Sequence, residues 1–265
     1  MATEVASFME AVQMPTVQHL LNGSLDALRG AIHSASAEEE PTRWVVSHII
    51  LGAALRLRGS RMADDVRARM YTEAVRAFDA ALAVCCERNG SHDIRGRGIA
   101  RLGVQPAVCT NGPDGVQLVV DATTVPLPEG NAMLERAIRV FRDACVKANR
   151  RTDLRGWFIG MSNLGCTLAL LGRRTPGAAG VSILEEAVDV LHDALRVPAR
   201  QGLAEERASM QINLAEAFQA LAERGIPAEN LRYIEQAATW LAAALSHYSP
   251  PEYRWLLQLE RGTLA

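Results

Sequence analysis

The side chains with chemistry to offer are few, and their spacing does not assemble a reaction centre. Cys85 and Cys86, with His92 and Cys109 further on, are the nearest approach to a metal site. Adjacent cysteines on a helix point in divergent directions, however, and no paired CxxC follows, so no metal is assigned. The six histidines are scattered without an HExxH spacing. There is no P-loop and no GxGxxG after a strand, and the GRG at 96–98 is too short a signal for a phosphate cradle. No catalytic residue and no cofactor follow from the sequence. One basic cluster remains, Arg95, Arg97 and Arg101, in the glycine-rich stretch ERNGSHDIRGRGIARLG. It reads either as a solvated loop or as a contact for an anion or an acidic partner, since loops held by a rigid frame often carry recognition.

What would position such residues is set by a ruler running through the chain. In the stretch from Trp157 to Leu195, Leu164, Gly165, Leu168 and Leu171 lie at helical spacing, as do Ala187, Val188, Leu191, Ala194 and Leu195. Gly172, Pro176, Gly177 and Gly180 interrupt the pattern, so the unit reads as two antiparallel helices joined by a loop. Displaced by 113 residues, Trp44, Leu51, Gly52, Leu55 and Gly59 repeat the first helix, and Ala74, Val75, Phe78, Ala81 and Leu82 the second. Fifty residues forward, Asn213, Leu214, Ala215, Phe218 and Leu221 precede Ala237, Leu241, Ala244 and Leu245. Fifty residues back, Ala137, Ile138, Phe141, Ala144 and Cys145 supply another second helix.

Its partner should lie near residues 107–124, where Pro106, Gly112, Pro113 and Gly115 argue against a regular helix. There VQPAVCT and VQLVVD flank Asn111-Gly112-Pro113-Asp114-Gly115, and a pair of short strands around a turn is expected instead. The expected organisation is a helical cap at 1–40, a hairpin at 41–86, an irregular or β-hairpin insertion at 87–130 and a lone second helix at 131–150. Hairpins at 151–200 and 201–248 follow, then a capping helix at 249–265.

With Leu164 as position seven, Gly165, Leu168 and Gly172 followed by Ala187, Leu191 and Ala194 resemble a tetratricopeptide repeat over roughly residues 43–246. Leu51 to Ala74, Leu164 to Ala187 and Leu214 to Ala237 are each 23 apart, which places the loop between helices ten residues beyond the 34-residue standard. NLG followed by LG and LEEAV resembles the long-loop repeats of bacterial signalling and effector-associated proteins. The resemblance implies an all-α, tetratricopeptide-like α-solenoid of antiparallel hairpins acting as a non-catalytic adaptor or scaffold, with any effector on a separate chain. It also implies a concave groove lined by first helices, whose partner-binding residues here would be Asn163, Asn213, Arg56, Ser162, Glu216 and Gln219. A side-chain amide can pair with an extended peptide's main chain almost regardless of sequence, or can simply bond neighbouring helices. Hairpin one carries Ile50 where the asparagine would stand. The competing reading is an enzyme or small-molecule binder with its site under the 87–130 insertion, drawing on His92, Asp93, Arg95 and Arg97.

Composition narrows the partners. A formal charge of -2, from 28 Lys plus Arg against 30 Asp plus Glu, gives no general field for nucleic acid or anionic membrane. The 49% hydrophobic content suffices for a continuous core, and 4 Trp, 4 Tyr and 5 Phe suit helix packing more than a sheet. No segment reaches the roughly 18 to 20 apolar residues that span a bilayer. Five cysteines, an odd number, and no secretory signal at the start fit a reduced cytoplasm. The expected partner is a protein or peptide, with self-association through the C-terminal helix or the irregular second repeat as a further possibility.

Overall fold

In a computed structural model, residues 25–34, 36–88, 113–148, 150–198, 202–224 and 227–248 are described, and every regular element among them is a helix. The order is α1 (Leu25–His33), α2 (Pro41–Gly59), α3 (Asp64–Arg88), α4 (Pro113–Ala122) and α5 (Leu127–Lys147), then α6 (Leu154–Arg174), α7 (Gly177–Leu195), α8 (Ala204–Arg224) and α9 (Pro227–Tyr248). Local chemistry fixes the starts. Pro41 opens α2 where its missing N–H is no loss. Asp153 caps α6, its carboxylate accepting from the Gly156 N–H at 2.9 Å. Gly177, at φ +66°, turns the chain into α7 through a conformation that side chains with a Cβ rarely adopt.

Two compact units are formed, residues 1–91 with 241–265, and residues 92–240. In the first, α2 packs on α1 and on α3. Gly52 makes the α2–α3 approach possible, because a Cβ there would overlap the fully buried Phe78 ring. Gly59, at the end of α2, lies against Tyr71 in the same way, with 3.0 Å left for a Cβ. In the second unit α4 packs on α5, α5 on α6, α6 on α7 and α8, and α7 on α8. There the pattern of the first unit returns. A Cβ on Gly165 would overlap the Leu191 side chain, and one on Gly172 would come within 2.8 Å of Leu184.

Two expectations are corrected. VQLVVD is not a strand; it lies within α4, which begins at Pro113, and Gly115 approaches Phe141 to 2.9 Å for a Cβ. The proline sits in the first turn, where it is tolerated, and the glycine is a packing contact, so neither breaks the helix. The −50 step of the ruler therefore holds for both helices, and residues 113–147 form a hairpin whose first helix is short. VQPAVCT lies outside the described residues. The long loop is absent as well: only Thr175 and Pro176 separate α6 from α7, and helices of 21 and 19 residues take up the added length. Gly172 and Gly180 belong to helices rather than to the loop. The segment 249–265 and most of 1–40 also lie outside the described residues.

Candidate functional site

Ser162 and Asn163 come from the middle of α6 and Asn213 from α8, and all three are buried, at 1%, 0% and 1% exposure. The Asn213 amide donates to the Ser162 hydroxyl at 3.0 Å, tying α8 to α6 across 51 residues of sequence. Asn163 stands one turn before Thr167, whose hydroxyl donates to its carbonyl at 2.7 Å. The structure thus brings these three together, buried at the α6–α8 contact, with Ser162 and Asn213 bonded across it. Glu216 and Gln219 lie further along α8 and are half-buried, and the Glu216 carbonyl accepts from Arg173 at 2.8 Å. Arg56 belongs to the first unit; it is 5% exposed, with its guanidinium 5.8 Å from the Phe78 ring centroid. Arg95, Arg97 and Arg101, and with them His92 and Asp93, lie outside the described residues.

The thiols read as packing groups. Cys166 is buried, and burial pushes its thiol well above the ordinary range, with Glu216 adding to the rise. Cys145 is half-buried against the bare Cα of Gly160, its Sγ 2.9 Å from where a Cβ would stand. Among the described residues no three His, Cys, Asp or Glu side chains converge as metal ligands. None of the described helices is long and apolar enough to cross a membrane.

Sequence reasoning missed a cleft in the first unit. It has a volume of about 310 Å³ and lies where α1, α2 and α3 meet, lined by Arg29, Ile32, His33, His48, Leu51, Glu73, Arg76 and Ala77. Arg29 spans it from α1 to α3, giving Nε and Nη2 to the two Glu73 oxygens at 2.7 Å each, and Nη1 to Asp26 at 2.8 Å. The Glu73 bond in particular holds the Arg29 guanidinium protonated, raising its pKa against the opposing effect of burial. His48 is 7% exposed and stacks beside Trp44, ring centroids 4.2 Å apart. Its Nδ1 lies 2.8 Å from the Trp44 carbonyl and donates to it, leaving Nε2 as the acceptor of a neutral ring. Burial lowers its pKa, with the carbonyl bond opposing.

The signal for this cleft was present in the ruler. Arg29 and Glu73, displaced by 113, are Arg142 and Glu186, and these two also form an ion pair, between α5 and α7. α1 is therefore the counterpart of α5. An Arg paired with a Glu 44 residues later thus ties α1 to α3 and α5 to α7.

A second repeated device closes the other end of the helices. Arg174 donates to the Ala122 carbonyl at 2.8 Å, and its Nη1 is 3.0 Å from a Cβ position on Gly130. Fifty residues on, Arg224 donates to the carbonyls of Thr175 and Arg173 and lies against Gly180. Compared with family models, with curated proteins and with solved structures, the chain matches none.

Proposed function

We propose that this chain is a non-catalytic adaptor, a tetratricopeptide-like array that binds a protein segment. The observation that carries this reading is a frame repeated with one set of contacts while the side chains around it change. Gly52 with Phe78, Gly115 with Phe141 and Gly165 with Leu191 are each 26 residues apart and do the same packing work. A frame of that kind stacks by nearest-neighbour contacts and leaves its surface positions available for recognition. Glu216 and Gln219 are the groove residues with surface to offer, and Ser162, Asn163 and Asn213 hold the helices that present them. Reduced thiols at Cys85, Cys145 and Cys166 fit a reducing, cytoplasmic setting.

Affinity capture with the full chain, followed by calorimetry of the purified candidate, tests this reading. The expected result is a saturable complex weakened several-fold by the Glu216→Arg and Gln219→Arg pair. Retention of nothing above a tag-only control at physiological ionic strength would overturn it.

A further inference from the structure

We propose that the cleft between α1, α2 and α3 binds a carboxylate next to an apolar side chain, the acidic residue of a partner peptide. The chain carries its own control for this assignment, because the positions that line the cleft, and the ion pair across it, recur 113 residues later on the same frame. The residues that hold the frame are kept in kind: Arg29 and Glu73 return as Arg142 and Glu186, Leu51 as Leu164, and Ile32 as Cys145. Those the frame does not need are replaced. His33, His48 and Arg76 stand where the second unit has Val146, Met161 and Asp189. A position that is Asp in one copy and Arg in the other does not serve the packing of either. Arg76 adds positive charge, and the two histidines add ring nitrogens, to the first copy alone.

The charges select the ligand. Arg29 is spent, its fork closed on Glu73 and its remaining nitrogen on Asp26. Arg76 is exposed at the rim, and among the described residues no carboxylate pairs with it. Arg29 is compensated by Glu73 and Asp26, which leaves Arg76 as the lining guanidinium with its fork open, and one fork matches one carboxylate. A phosphate dianion would remain half-compensated. His48, with Nδ1 donating to the Trp44 carbonyl, leaves Nε2 as an acceptor, suited to an N–H of the partner peptide rather than to the carboxylate itself. Ile32, Leu51 and Ala77 supply an apolar wall, and 310 Å³ is room for one side chain beside the acid. The preference for a carboxylate stands apart from the adaptor reading; only the peptide that would carry it rests on that reading.

The test uses the full chain and three small probes, 3-phenylpropionate, 3-phenylpropionamide and phenyl phosphate, followed by the imidazole resonances of His33 and His48. The expected result is a saturable shift with 3-phenylpropionate at a Kd of about 1 mM, a weak fragment affinity, and binding at least tenfold weaker for the amide. Arg76→Asp, which copies the second unit, should abolish the shift. His48→Met, which copies Met161, should leave the binding of 3-phenylpropionate close to that of the wild type, read at His33, since the acceptor Nε2 makes no hydrogen bond to a carboxylate. Asp189→Arg, in the other unit, should change nothing. Equal binding of acid and amide, unchanged binding by folded Arg76→Asp, tighter binding of phenyl phosphate, or no saturable shift with any probe would each overturn the assignment. Failure here would leave partner capture by the array untouched, so the two readings fall separately.

Discussion

At the scale of single residues, the helical glycines divide into those that packing requires and those it does not, and the two kinds predict opposite signs. Gly165 lies under the Leu191 branch point, with no room for a Cβ. Gly30, on the exposed side of α1, has nothing within 4 Å. Replacing a helical glycine by alanine gains up to about 1 kcal/mol in backbone propensity, whereas forcing a methyl into a filled core costs about 1 to 3 kcal/mol. At Gly165 the cost exceeds the gain, so Gly165→Ala should lower the urea midpoint; at Gly30 only the gain remains, and Gly30→Ala should raise it. Combining Gly165→Ala with Leu191→Ala should cost less than the sum of the two, because each relieves what the other creates. Strict additivity, or a stabilised Gly165→Ala, would remove the interlock from the account of this fold. The same reasoning shows what single residues did not disclose. Asn163 and Asn213 carry amides suited to a peptide, but only the stacking of α6 on α8 decides that both are buried and that the Asn213 amide is turned to Ser162.

At the scale of elements, the arginines near the ends of α6 and α8 do what the connecting loops are too short to do. Thr175 and Pro176 alone join α6 to α7, and the last carbonyls of a helix lack partners within it. Arg224 reaches back from α8 to satisfy two of them, and Arg174 does the same for Ala122 in the preceding hairpin. Gly130 and Gly180 are the open places that let each guanidinium lie flat. Hydrogen bonds from charged donors contribute about 1.5 to 3 kcal/mol when well shielded; these sites are half-exposed, so Arg224→Ala should cost about 1 kcal/mol in urea unfolding. Lysine should not rescue it, since one ammonium cannot reach both carbonyls as a planar fork does. Arg196→Ala, which removes only an exposed pair with Asp193, should stay within about 0.5 kcal/mol of wild type. Equal effects at Arg224 and Arg196 would deny the clamp. These elements also show where sequence reading succeeded and where it stopped. The spacing of 113 and 50 placed the apolar faces of α2, α3 and α5 to α9, because helix packing repeats its small and large partners faithfully. It lost α4, because Pro113 and Gly115 were weighed as helix breakers when one is an opening residue and the other a contact. It lost the cleft because an ion pair 44 residues apart looks like two ordinary surface charges until both copies are seen paired.

At the scale of the whole molecule, stability should be local. Among α1 to α8 the main contacts run between helices adjacent in sequence and, for α6 with α8, next but one, and the two compact units have interlocks of their own. In such an arrangement stability is close to a sum of hairpin and nearest-neighbour contributions, so a defect should be felt near its origin and fade with distance along the chain. Leu191 is fully buried in the second unit, and Leu191→Ala should cost about 2 to 5 kcal/mol through lost transfer energy and the cavity left behind. Hydrogen exchange resolved by segment reads where that loss is felt. Amides of residues 154–195 should lose protection most, those of 113–147 and 204–224 less, and those of 41–85 least. A domain unfolding in one cooperative step would instead lose protection equally throughout, because every amide would exchange through the same global opening. Uniform loss across 41–85 and 154–195 would therefore rule out additive hairpins, and with them the premise that one copy of the cleft can change its chemistry while the frame of the other stays intact.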